Sequence, residues 1–125
     1  MKLVIYADGG CEGNPGPSRC GVVALREDGS VAWELSKKLG YGTNNTAEWH
    51  ALIAALKYAA NDACRDVTVR MDSRLVVEQA NGRWKIKNAG LKPLAAEAMA
   101  LKRSLLDTGC TVSIEWVPRE QNALA

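Results

Sequence analysis

The sequence predicts an α/β domain on a mixed sheet, with a run of strands first and helices alternating with strands later. Three observations carry this. Cys20–Leu25 and Val31–Leu35 flank an Asp28-Gly29 turn signal, an apolar repeat of helical spacing begins near Ala47, and Asp66–Met71 and Thr111–Val117 alternate like strands behind helical segments. Later strands that run parallel need such crossover helices, so the sheet is expected to combine an antiparallel meander with parallel strands.

The elements follow in order. Lys2–Ala7 is a short β-branched and aromatic run, closed by Asp8-Gly9-Gly10 and a loop through Gly13-Asn14-Pro15-Gly16-Pro17. Trp49, Ile53, Leu56 and Ala60 recur at helical intervals, predicting a helix over Ala47–Ala60 with Asn45 or Thr46 as N-cap. Asp66–Met71 is the next strand, Ser73–Ala80 a helix, Gly82–Asn88 a loop and Pro93–Leu106 a longer helix that Asp107-Thr108-Gly109 ends. The last strand is Thr111–Val117, and Pro118–Ala125 reads as a loop beginning another helix. There are no repeats or low-complexity tracts.

At 125 residues with 47% hydrophobic content, the chain holds one core, so a single domain over 1–125 is expected. Sixteen Lys and Arg against fourteen Asp and Glu leave a formal charge of +2, which neither announces nor excludes a nucleic-acid partner. The apolar start is too short for a signal peptide, and no stretch approaches the roughly 18 apolar residues of a membrane span, so a cytoplasmic protein is expected. Cys11, Cys20, Cys64 and Cys110 lack CxxC spacing and read as reduced thiols, with a Cys64–Cys110 disulfide as the open alternative.

Ligands of such sheets gather at the carboxyl ends of parallel strands. Asp8 is expected to close the first strand, Asp72 follows Met71 directly, and Glu48 falls in the expected first turn of the long helix. Two divalent ions roughly 3.5–4 Å apart can activate water and stabilise a leaving oxygen, and carboxylates are their natural ligands. Each acid also has a purely structural reading: Asp8 as a turn residue, Glu48 as a partner of the helix dipole, Asp72-Ser73 as a cap.

Combined, Tyr6-Ala7-Asp8-Gly9-Gly10, Gly13-Asn14-Pro15-Gly16-Pro17, Thr43-Asn44-Asn45-Thr46-Ala47-Glu48 and Met71-Asp72-Ser73 resemble type 1 ribonuclease H, in that family's order and at its intervals. The resemblance runs the length of the chain. It implies a five-stranded mixed sheet flanked by helices and two Mg²⁺ or Mn²⁺ ions on Asp8, Glu48 and Asp72. It further implies hydrolysis of the RNA strand of RNA–DNA hybrids to a 3′-hydroxyl and a 5′-phosphate, by a monomer away from membranes. The family's fourth carboxylate would follow Val117-Pro118-Arg119-Glu120-Gln121-Asn122-Ala123-Leu124-Ala125 as the next residue. A truncation before that Asp, with loss of the terminal helix, is the expected explanation, and substitution by Glu120 or Asn122 the alternative.

Many relatives carry a His in the last loop, where this chain has none; relatives with a similarly short loop place Arg there, so the resemblance makes Arg119 the candidate for the auxiliary role, with a contact to solvent or a phosphate as the alternative. His50 faces another side of the helix from Glu48 and is expected at a solvated surface. Hybrid recognition favours minor-groove contacts to sugars over base reading. By resemblance, Asn14, Asn45 and the backbone near Cys11 and Glu12 contact the RNA, and Thr43 holds a DNA phosphate. Arg83, Trp84, Lys85 and Lys87 form a short basic and aromatic cluster, with two open readings: Trp84 stacking on a sugar while the cations meet phosphates, or a solvated loop with Trp84 covering core. Arg74 replaces the amide side chain of many relatives and should favour phosphate contacts. The missing fourth acid also motivates a second reading, a catalytically inactive hybrid-binding module, and a transposase or exonuclease domain is a distant third.

Overall fold

The computed structural model describes residues 2–62 and 64–124. A five-stranded sheet in the order β3-β2-β1-β4-β5 carries three helices. The strands are β1 (Lys2–Cys11), β2 (Gly16–Leu25), β3 (Val31–Gly42), β4 (Asp66–Met71) and β5 (Thr111–Trp116), and the helices are α1 (Asn44–Asn61), α2 (Arg74–Ala80) and α3 (Lys92–Asp107). β1–β2 and β2–β3 pair antiparallel, whereas β1–β4 and β4–β5 pair parallel. The expected five-stranded mixed sheet is therefore present.

Alternation along the strands sorts the side chains by face. Leu3, Ile5 and Ala7 of β1, Cys20, Val22 and Ala24 of β2, and Val67, Val69 and Met71 of β4 join Trp49, Leu52, Leu56 and Ala98 of the helices in one core. Burying a large apolar side chain in such a core stabilises the fold by about 1.5–3 kcal/mol relative to exposure. No helix among the described residues is long and apolar enough to cross a membrane.

Several boundaries differ from the expectation. β1 does not end at Ala7 but continues to Cys11, because β2 pairs with it as far as Cys11↔Ser18 and holds Gly9 and Gly10 extended. Asp8 thus lies within β1, past the end of its pairing with β4. β2 likewise starts at Gly16 and β3 runs to Gly42, since the two strands pair from Gly16↔Gly42 to Leu25↔Val31. Cross-strand hydrogen bonds override the local turn preference of Gly16-Pro17. The Asp28-Gly29 turn is where it was expected, with Gly29 at φ 86° and Arg26 N–H donating to Ser30 O at 2.9 Å.

α1 starts earlier than Ala47, and its N-cap is Thr43 instead of Asn45 or Thr46. Thr43 Oγ1 accepts from Thr46 N–H at 3.1 Å while Thr46 Oγ1 accepts from Thr43 N–H at 2.9 Å, a reciprocal cap made by two threonines. Glu48 consequently belongs to the second turn of α1, not the first. β4 has the expected limits, and Ser73 caps α2 by accepting from Val76 N–H at 3.4 Å. Beyond β5 the chain makes a 3₁₀ turn at Arg119–Gln121. Ala125, after which the resemblance puts a fourth acid, lies outside the described residues.

Candidate active site

The β1–β4 register sets one pair of acids side by side. It runs from Lys2↔Asp66 to Tyr6↔Arg70, so extending it by two residues sets Asp8 opposite Asp72. Both are half-buried.

Glu48 arrives from α1, which can come close to β1 only because Gly9 lacks a side chain. A Cβ on Gly9 would collide with the Ala47 carbonyl and the Glu48 nitrogen. At that approach Gly9 N–H donates to Glu48 Oε1 at 2.6 Å. One carboxylate oxygen from each of Asp8, Glu48 and Asp72 then lies within 4.8 Å of the others.

Three acids this close oppose one another's ionisation. Burial, with the Asp8 charge next, pushes the Glu48 carboxyl up to about 8, against the Gly9 N–H and Arg119, which favour the charged form. Asp8 is raised by its burial and then by Asp72, while Arg119 and the Gly9 backbone pull the other way. A divalent cation would remove the cost of gathering these charges. The donor set is all oxygen, which fits hard ions such as Mg²⁺ or Mn²⁺. Asp8, Glu48 and Asp72 are therefore the residues that would hold them.

Arg119 is close enough to act on both Asp8 and Glu48. Its segment is fastened by Asn122, which is 4% exposed: Asn122 Nδ2 donates to Ala7 O at 3.3 Å, and Asn122 Oδ1 accepts from Leu124 N–H at 3.0 Å. Both ends of that amide are engaged, so the alternative of Asn122 as a substitute ligand is not what the geometry provides. Glu120 is exposed and stands outside the carboxylate cluster of the described residues.

The expected substrate residues gather around the start of α1. Asn14 Oδ1 accepts from Asn44 N–H at 3.1 Å, and Asn44 Oδ1 accepts from Cys11 N–H at 3.0 Å and from the Cys11 thiol at 3.2 Å. Asn44, which sequence reasoning left out, is thus the strap between the β1–β2 loop and α1; its place inside the Thr43–Glu48 motif was the available signal. Asn45 and Glu12 are exposed beside it, and Glu12 N–H donates to Pro17 O at 2.9 Å. Thr43 spends its hydroxyl on the cap.

On the other flank, Trp84 is 45% exposed and does not cover the core. Arg83 does not present a free guanidinium there, because its Nε donates to both Glu78 oxygens at 3.1 Å. Arg74 is exposed at the start of α2. His50 is removed from the carboxylates: with Lys37, Trp33 and Tyr58 it lines a half-open cavity of about 570 Å³ between β3 and α1. Asp8, Glu48 and Asp72 are not among the residues that line that cavity. Cys64 and Cys110 are buried at the entries of β4 and β5, and burial together with the neighbouring Cys64 pushes the Cys110 thiol up to about 11.

The family described as "Reverse transcriptase-like" matches residues 6–125. The N-terminal RNase H domain of a Mycobacterium tuberculosis protein, solved as a fusion with maltose-binding protein, superposes with a TM-score of 0.90 at 44% identity, covering 100% of this chain and 88% of that one. The chain belongs to the ribonuclease H family. Ribonuclease HI of Halobacterium salinarum is 40% identical over 124 residues, 99% of this chain and 60% of that protein. LC11-RNase H1, isolated from compost by a metagenomic approach and solved in complex with an RNA/DNA hybrid, has a TM-score of 0.85 at 38% identity, over 98% of this chain and 90% of that one. This ribonuclease H domain spans 34% of the length of the curated mycobacterial relatives it matches.

Proposed function

We propose that this chain is an endonuclease that hydrolyses the RNA strand of RNA–DNA hybrids, with two Mg²⁺ or Mn²⁺ ions held by Asp8, Glu48 and Asp72. The observation that carries the reading is the convergence of those three carboxylates within 4.8 Å, on a fold whose relatives include one in complex with such a hybrid. Divalent ions bound there supply a water of lowered pKa and offset charge on the departing oxygen.

The chain's own residues set up the displacement. Water attacks phosphorus, the bond to the 3′ oxygen breaks, and the products carry a 3′-hydroxyl and a 5′-phosphate. Gly9 N–H fixes one Glu48 oxygen, leaving the other for ligation. Arg119 offsets part of the negative charge on Asp8 and Glu48 and is our candidate for the auxiliary role. Asn14, Asn44, Asn45 and the backbone of Cys11 and Glu12 form the surface that meets RNA sugars, with Thr43 toward a DNA phosphate and Trp84 toward the same strand. Sugar and phosphate contacts leave base sequence unread.

The test incubates the chain and its Asp8→Asn variant with labelled hybrid, single-stranded RNA and duplex DNA, in Mg²⁺, Mn²⁺ or chelator. Metal-dependent cutting of the hybrid's RNA alone, lost in the variant, is the expected result. Hybrid binding without cleavage would assign the chain instead as an inactive hybrid-binding module, and full activity of Asp8→Asn would sink the nuclease reading.

A further inference from the structure

Trp116 ends β5 with 42% of its surface exposed, and both of its polar contacts lead to the segment carrying Asp72. Its Nε1–H donates to the Asp72 carbonyl at 3.2 Å. Its ring lies 5.2 Å from the guanidinium carbon of Arg74, in cation–π range. Arg74 stands outside the ion pairs of the described residues. Glu78 feels its charge but bonds Arg83.

We propose that Arg74 and Trp116 form a preset clamp for a backbone phosphate of the strand lying across the Asp8–Glu48–Asp72 cluster, with Arg74 as the contact and Trp116 as its positioning residue. The inference rests on the nuclease reading above. A guanidinium carries only donors, in a planar fork that matches two phosphate oxygens, so phosphate suits it better than a sugar hydroxyl that must also give its proton. With its central carbon over the ring, the guanidinium still has N–H groups to offer a ligand. The indole N–H bond ties the ring to the turn bearing Asp72, so the cation keeps a fixed offset from a cluster carboxylate. An unstacked Arg would lose more side-chain freedom on binding.

The clamp is tested by hybrid binding, read as fluorescence anisotropy across a salt series with Mg²⁺, in an Asp8→Asn background that prevents cutting. Each phosphate contact contributes about 0.7–0.9 to the slope of log affinity against log salt, so Arg74→Gln should lower the slope by about that amount. Trp116→Leu should weaken binding while keeping most of the slope, because the Arg74 charge remains, the double variant should bind no more weakly than Arg74→Gln alone, and Trp116→Phe, which keeps a ring face, should recover at least half of the lost affinity. Thermal melts check that the Trp116 variants fold; if Trp116→Leu does not, Arg74→Gln and Trp116→Phe decide. An unchanged slope in Arg74→Gln, or additive effects of the two substitutions, overturns the clamp alone. Failure of the unsubstituted chain to bind or cut hybrid overturns the nuclease reading with it.

Discussion

Gly9 N–H donates to Glu48 Oε1 at 2.6 Å, and that bond exists because Gly9 has no Cβ to hold α1 away from β1. Gly9→Ala should therefore damage fold and site together. A cost of about 1–3 kcal/mol is expected from the steric insertion, with loss of most cleavage activity. Gly10→Ala is the control, since its Cβ would come no nearer than 3.9 Å to Asn44 Oδ1. Denaturant melts of the two variants, beside their cleavage rates, check the contrast; equal behaviour would refute it.

Glu48→Gln should separate stability from catalysis. The amide oxygen still accepts from Gly9 N–H, and the charge that opposes Asp8 and Asp72 is gone. In chelator at pH 8 or above, the variant should melt at a temperature equal to or higher than that of the parent, while cleavage falls by at least about 100-fold. Mg²⁺ should raise the parent's melting temperature more than the variant's, by linkage of binding to folding.

The raised carboxyls also fix the sign of the pH dependence without metal. Glu48 ionises near 8 in the folded chain against 4.5 for an ordinary glutamate, and Asp8 is shifted the same way. Between those limits the folded state binds more protons than the unfolded one, so stability falls as pH rises. The slope is about 1.4 kcal/mol per pH unit while one proton separates the states. Melts in chelator from pH 4.5 to 8 should show this decline, and saturating Mg²⁺ should flatten it.

Asn122→Ala removes the amide that joins Ala7 O to the Leu124 backbone. Leaving buried polar groups unpaired costs about 1–3 kcal/mol. The cost should appear locally, as faster amide hydrogen exchange over residues 117–124, together with a lower kcat because Arg119 loses its fixed place. Unaltered exchange there would show that the segment is held by something else.

The sequence by itself determined the order of strands and helices, because turn residues, alternation and helical spacing are local signals. It also picked out the three acids that the fold brings together: Asp8, Glu48 and Asp72 stand in motifs whose spacing is visible along the chain, and β4 kept its expected limits. Tertiary structure decided the rest. β1, β2 and β3 outgrow their local propensity because each borrows hydrogen bonds from a neighbour distant in the chain. Thr43 won the cap from Asn45 and Thr46 through a reciprocal pair of hydroxyls that no single residue's preference reveals. Arg83 was taken up by Glu78, Asn44 became a strap, Asn122 a latch and Trp116 a rest for Arg74. A polar side chain's partner is set by what the fold brings within 3 Å or so of it, and residues far apart in the chain meet only when the sheet register and the approach of α1 are fixed.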